Sequence, residues 1–192
     1  MSDPAAAKKA LRQVMFARRG ALAPPARQAA ARQLAGHAEA VLACGQGRAI
    51  SGFCSVFDEI EPSLLLERLA GLGAALLLPR VAGRHLTFHR WAPGDPLVPG
   101  RYGIPEPLAD TSEALPALML VPLVGFDRRG NRLGYGGGFF DRVLADYQPE
   151  ATIGVAYSVQ EAPEIPVEAH DQPLDYVLTE HGLIDCRGLR GA

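Results

Sequence analysis

Two uninterrupted apolar runs, Ala-Ala-Leu-Leu-Leu at 74–78 and Ala-Leu-Met-Leu-Val-Pro-Leu-Val at 117–124, constrain this chain most. A strand with one face in water alternates apolar and polar residues. A strand without alternation has to be covered on both faces, as in a parallel sheet sandwiched between helices. The rest of the chain supplies the covering helices. Pro4 stands where a first helix tolerates it, after a cap from Ser2 or Asp3, and the pattern runs to about Arg19 before stopping at Gly20. Pro24-Pro25 opens a second, alanine-rich helix to about Ala43, ended by Gly45 and Gly47. A short helix at 63–72 turns Leu64, Leu65, Leu69 and Leu72 to one side, and another runs from about Phe139 to Asp146. Further strands are expected at 48–56, 151–157 and 176–179, with 85–91 at the sheet's edge. Helix and strand alternate, so the expected class is α/β, a three-layer α/β/α arrangement with a mainly parallel central sheet. The 192 residues are expected to form a single domain, residues 1–192. Residues 92–116 hold six prolines and no periodicity, and read as a long loop over the molecule's edge.

Charge and cysteine usage narrow the function. Nineteen basic residues against 21 acidic ones give a net charge of −2, which argues against a nucleic-acid binder. Cys44, Cys54 and Cys186 are far apart and form no Cys-x-x-Cys pair, so neither a disulfide framework nor a zinc knuckle is expected, and a reducing cytoplasm suits them. The N-terminus has no apolar signal core, and no stretch reaches the roughly 18 apolar residues of a membrane span. These features predict a soluble cytoplasmic protein that binds neither nucleic acid nor membrane, and a monomer is expected. Of the 19 basic residues, only Lys8 and Lys9 are lysines.

The most informative segment is 127–142, Asp-Arg-Arg-Gly-Asn-Arg-Leu-Gly-Tyr-Gly-Gly-Gly-Phe-Phe-Asp-Arg, between a buried strand and a helix. In open α/β sheets ligands bind at the carboxyl ends of strands, and glycines there let backbone N–H groups turn towards an anion. Two common phosphate motifs do not fit. Gly138 is followed by Phe139-Phe140 and not by Lys-Ser/Thr, and from Gly134 and Gly136 the third glycine of Gly-x-Gly-x-x-Gly would fall on Phe139. Glycines alone leave a phosphate cradle and a tight structural turn equally open. The flanking Asp127, Arg128, Arg129, Arg132, Asp141 and Arg142 favour the cradle, since arginine offers a planar fork to phosphate and a carboxylate one turn into the helix can hold magnesium. Taken alone, Asp141 would simply compensate a helix dipole. Cys54 reads as a small residue at a strand end and not as a nucleophile; His85, His89 and His170 read as structural.

The segment 121–142 resembles the signature of the 5-formyltetrahydrofolate cyclo-ligase family, also called 5,10-methenyltetrahydrofolate synthetases. The resemblance continues in Lys8-Lys-Ala-Leu-Arg12, Phe57-Asp-Glu-Ile-Glu61, Leu78-Pro-Arg80, Tyr102-Gly-Ile-Pro-Glu-Pro107 and His170-Asp-Gln-Pro-Leu-Asp175. It implies a fold of the NagB/RpiA/CoA-transferase type. The implied reaction is an ATP-driven, Mg2+-dependent closure of 5-formyltetrahydrofolate to 5,10-methenyltetrahydrofolate, with release of ADP and phosphate through a phosphorylated formyl group. By the same resemblance ATP is held by Lys8, Lys9, Ala10, Leu11 and Arg12 and by the loop Arg132, Leu133, Gly134, Tyr135, Gly136, Gly137, Gly138, Phe139 and Phe140. Lys8, Arg132 and Asp141 carry the catalytic role, and Asp141 with Asp171 would bind Mg2+. The folate would be met by Cys54, Glu59, Tyr102, Tyr135, Gly136, Gly137, Gly138 and Phe139. Gly137 replaces a lysine of some members, Phe139 and Phe140 replace frequent tyrosines, and Tyr102 replaces a tryptophan. Two other readings accompany this one: a sugar-phosphate isomerase-like enzyme, and a non-catalytic nucleotide- or folate-binding protein on the same scaffold.

Overall fold

The computed structural model describes residues 4–189, so Ser2 and Asp3, the expected cap, lie outside the described residues. Helix α1 spans Pro4–Gly20 and buries Lys8, Met15 and Arg19, two of them charged. Helix α2 spans Pro24–Ala35 with proline in its first turn. The single helix expected to Ala43 is two: Gly36 turns its N–H back to the carbonyls of Gln33 and Leu34, and α3 restarts at Ala38–Leu42. Glycine is the weakest helix former after proline, and the break falls there. Helix α4 is Ser63–Gly71 and α5 is Phe139–Asp146. In α4 the buried side is Leu65, Leu66 and Leu69, while Leu64 is exposed, so the expected apolar side was rotated by about one residue.

Strands β1 (Ala49–Ser51), β2 (Ala75–Ala82), β3 (His85–Arg90), β6 (Leu118–Pro122), β9 (Ala151–Val155), β10 (Tyr176–Thr179) and β11 (Gly182–Asp185) form one sheet in the order β11-β10-β9-β6-β1-β2-β3. The five strands from β10 to β2 are mutually parallel, and β11 and β3 close the edges antiparallel. Strand β1 is shorter than the expected 48–56. After Gly52 donates a last bond to Leu77 O, the chain leaves the sheet and turns at 56–59, with Phe57 at φ +52°.

The apolar runs are covered on both faces, as their lack of alternation requires. Leu76, Leu78, Leu118, Leu120, Ile153 and Leu178 meet α2, α3 and α4 through Ala30, Leu34, Val41, Leu65 and Leu69. Their neighbours Leu77, Met119, Val121 and Val177 meet Val143 and Leu144 of α5 on the opposite face. The architecture is therefore an α/β fold, a mainly parallel sheet flanked by helices. Helix α1 packs at one end of the sheet: Met15 joins Val124, Leu133, Ala162 and Ile165, which follow the carboxyl ends of β6 and β9.

The proline-rich stretch is not structureless. Strands β4 (Leu97–Pro99) and β5 (Pro105–Pro107) pair antiparallel around a turn at Arg101–Gly103. A two-stranded ribbon has edge positions that need no N–H from proline. A second ribbon, β7 (Gly125–Phe126) with β8 (Arg132–Leu133), carries the glycine-rich segment out of the core.

Candidate active site

Asp127 fixes the root of the glycine-rich segment. Its carboxylate is fully buried and accepts from the backbone N–H groups of Arg129, Asn131 and Ile165 and from the Asn131 amide. Its role is thus to shape the turn. Arg128 pairs with Glu161, and Arg142 donates to the carbonyls of Arg84 and Gly137. Of the arginines that crowd 127–142, Arg132 alone faces the interior. It is buried, with Nη2 2.6 Å from Asp141 Oδ1, and also donates to Gln172 O. Burial lowers its pKa, while Asp141 and Asp171 oppose the shift.

Residues 134–138 then cross the surface with Gly136 at φ +99° and Gly138 at φ +65°, a left-handed cap to α5. The first turn of α5 carries Asp141, so its carboxylate sits beside unpaired helix N–H groups. Two other segments converge on this loop. From α1, Arg12 Nε donates to Gly134 O at 2.8 Å. Lys8 Nζ lies 2.6 Å from Glu168 Oε2 and 2.5 Å from Asp171 Oδ2, on the segment after β9. Lys8 is raised in pKa: burial lowers it, but the two carboxylates outweigh that. Lys9 and Ala10 are exposed on α1, Leu11 packs against the small core at the end of the sheet, and Leu133 is buried in it. Phe140 packs on the α5 side of the sheet, so its side chain serves the core.

A second set of the expected site residues gathers around Tyr135 and Phe139. Glu59 is 9% exposed; Oε2 accepts from Val56 N–H at 2.9 Å, and Oε1 is buried with no hydrogen-bond partner among the described residues. Burial raises its pKa. Tyr135, from the loop, faces this carboxylate. Tyr102 sits at the β4–β5 turn with φ +66°, exposed, its ring edge-on to Phe139 at 6.3 Å. A bulky residue in the left-handed region is strained, and such strain gathers at functional sites. Cys54 is half-buried, and burial pushes its thiol up to about 11, with Glu61 and Glu106 adding to the shift. A neutral thiol is a poor nucleophile.

Magnesium takes hard oxygen ligands. Asp141 uses Oδ1 for Arg132, and Asp171 uses Oδ2 for Lys8 and for Glu168 N–H. Each keeps a second carboxylate oxygen, and Glu168, His170 and Asp171 have ligand atoms within 4.8 Å of one another. Glu168 and Asp171 offer the oxygen donors that Mg2+ takes, and Asp141 lies outside that group, beside Arg132. Glu168 and Arg19 are buried or half-buried partners that no motif marked; the only signal in the sequence was the spacing of Glu168 three residues before Asp171. No helix among the described residues is long and apolar enough to cross a membrane.

Known proteins share this fold. The solution structure of 5,10-methenyltetrahydrofolate synthetase from Aquifex aeolicus superposes with a TM-score of 0.80 at 28% identity, covering 94% of this chain and 93% of that one. The protein thus has the architecture of a folate-transforming synthetase. The 5-formyltetrahydrofolate cyclo-ligase family profile matches residues 4–180, and the chain belongs to that family. It is 34% identical over 171 residues to the 5-formyltetrahydrofolate cyclo-ligase of Escherichia coli (strain K12), covering 84% of this chain and 94% of the relative. Identity to the Haemophilus influenzae 5-formyltetrahydrofolate cyclo-ligase is also 34%, over 151 residues, 74% of this chain and 81% of the relative.

Proposed function

We propose that the protein closes 5-formyltetrahydrofolate to 5,10-methenyltetrahydrofolate at the expense of ATP, with Mg2+ held between Asp141 and Asp171. The observation that carries this reading is the convergence of Lys8, Arg12, Arg132, Asp141 and Asp171 on one glycine-rich loop. Three arginine or lysine cations and a loop that bares its N–H groups suit a triphosphate. Glu59 takes the folate head group, and Tyr102 lies over its ring system, with Phe139 against Tyr102.

The formyl carbon is a poor electrophile because amide resonance protects it, and hydroxide would be a poor leaving group. The formyl oxygen attacks the γ-phosphorus and ADP departs, leaving the carbon bonded to a phosphate ester oxygen and to an iminium nitrogen. N10 then adds to that carbon and loses its proton; the C–O bond breaks and phosphate leaves with the electron pair. Bound magnesium supplies neutralisation of phosphate charge. The chain's own part is positioning: Arg132 and Lys8 offset negative charge, the loop N–H groups orient the phosphates, and the aromatic pair holds the folate against them. No protein nucleophile is needed, in keeping with the raised thiol of Cys54.

Substrate carrying 18O in the formyl group tests this route. The label should appear in the inorganic phosphate released. Label retained in water would contradict phosphorylation of the formyl oxygen.

A further inference from the structure

The turn between β2 and β3 consists of Gly83 and Arg84, and both of its carbonyls accept from arginines of other segments. Arg101, on the β4–β5 turn, donates from Nη1 to Gly83 O at 2.8 Å. Arg142, on α5, donates from Nε to Arg84 O at 2.8 Å. Each guanidinium also lies over an aromatic ring, Arg101 at 5.1 Å from the Tyr102 ring centre and Arg142 at 5.1 Å from that of Phe139. Those two rings meet edge to face at 6.3 Å. The contacts therefore close a circuit, from the β2–β3 turn through Arg101, Tyr102, Phe139 and Arg142 back to the same turn.

Arg142 reaches furthest within it. Its Nη2 donates to Gly137 O at 2.9 Å, inside the glycine-rich loop, and Nη1 lies beside Gly138, where an added Cβ would stand 2.9 Å away. One planar group thus meets the loop, the ring that follows the loop and a fixed turn of the sheet, which the rigid fork of arginine can do at once. Glycine loses more freedom on ordering than any other residue, so a loop with glycine at 134, 136, 137 and 138 needs an outside tie to keep its N–H groups aimed. Tyr102 needs one too. It is 67% exposed, and Arg101 and Phe139 are its ring partners.

We propose that Arg142 is a positioning residue that serves both substrates: through Gly137 O it fixes the loop assigned to ATP, and through Phe139 it steadies Tyr102 on the folate side. This rests on the function proposed above and adds to it a residue that touches neither substrate. The closed circuit further requires Arg101 and Arg142 to act as a unit, although they stand on different segments.

The test is steady-state kinetics with ATP and 5-formyltetrahydrofolate varied separately, on the wild type, Arg142→Ala, Arg142→Lys, Arg101→Ala and the Arg101→Ala/Arg142→Ala double variant, with melting temperatures alongside. Arg142→Ala should raise KM for both substrates about tenfold, the scale of a modest misplacement of binding groups. Arg142→Lys should recover part of that loss, because an ammonium keeps a carbonyl bond but cannot hold the fork. Arg101→Ala should raise KM for folate alone. In the double variant the folate KM should rise little beyond the worse single variant, since one opening already frees both rings; independent sites would multiply their losses. A merely structural Arg142 would lower the melting temperature and the amount of active enzyme with both KM values unchanged, and that result would overturn the proposal. So would a rise in only one KM for Arg142→Ala, or multiplied losses in the double variant. Should Arg142→Ala not fold, Arg142→Lys carries the test: both KM values raised supports the role, and wild-type values refute it. A wild type without ATP-dependent turnover would strike the proposed function, and this proposal with it.

Discussion

Lys8 Nζ lies 2.5 Å from Asp171 Oδ2, joining the first helix to the segment between β9 and β10, with only 7% of the lysine side chain exposed. Glu168 shares the same ammonium at 2.6 Å. A lysine so placed has two uses. It neutralises carboxylates in the free protein, and it stands one helical turn from Arg12, which bonds Gly134 O of the loop where the proposed triphosphate would lie.

Removing that ammonium should separate ATP from folate in the kinetics. Lys8→Ala is expected to raise KM for ATP about tenfold or more, the scale of one charge-assisted hydrogen bond, with KM for folate little changed. The stability of the wild type should carry the same pair. Asp171 is held below its ordinary 3.8: burial would raise it, but hydrogen bonds from Lys8 and Glu168 N–H and the Lys8 charge win. A depressed carboxyl contributes stability above its unfolded pKa that is lost as pH falls through the folded one. Lys8 is raised above 10.5, so its share is present below that value and lost as pH climbs beyond it. Lys8→Ala should flatten both limbs of the melting-temperature profile; an unaltered profile would count against the ion pair.

Glu59 should behave in the opposite sense. Burial raises its pKa above 4.5, so charging it costs the folded state, and that cost enters as pH rises past 4.5. Glu59→Gln is expected to weaken folate binding severely while leaving thermal stability at pH 8 equal or higher. The gain should shrink as pH is lowered, because the wild-type carboxyl is then neutral as well. A Glu59→Gln protein that is less stable at pH 8 and binds folate normally would assign Glu59 to the fold alone.

Glycines of the loop should divide by geometry. At Gly130, φ is +85° and an added Cβ would stand 2.2 Å from Leu174 O, a backbone atom that cannot step aside. Gly130→Ala should therefore cost more than about 2 kcal/mol, among the larger point-mutant effects. Gly134 has no atom within 4 Å of such a Cβ and an ordinary φ, so Gly134→Ala should fold normally. Chemical denaturation of the two variants makes the comparison; similar midpoints would contradict it.

Much of this was legible in the residues. Apolar runs without alternation required a doubly covered sheet, and helices on both faces supply it. Edge strand β3 and helix α5 fall where their patterns end. What escaped were features with no periodic signal in the residues. Gly36 breaks the second helix locally, β1 ends once Gly52 has bonded Leu77 O, and the ribbon among the prolines pairs 97–99 with 105–107. At the site, the glycine-rich loop announced itself, while Asp127, one of the charges flanking it, proved to be a brace. Arg19 and Glu168 lie outside any motif, because only folding brings them beside Tyr135 and Lys8.

If the convergence of Lys8, Arg12, Arg132, Asp141 and Asp171 couples ATP to ring closure, one assay shows it directly. Purified protein is mixed with 5-formyltetrahydrofolate and Mg2+, with and without ATP, and methenyl product is followed by its near-ultraviolet absorbance, alongside Asp141→Asn. Product should form only with ATP, and Asp141→Asn should be folded and lose about 100-fold or more of that turnover, as loss of a group that neutralises transferring phosphate does. No product with ATP, equal product without it, or a fully active Asp141→Asn would contradict the account.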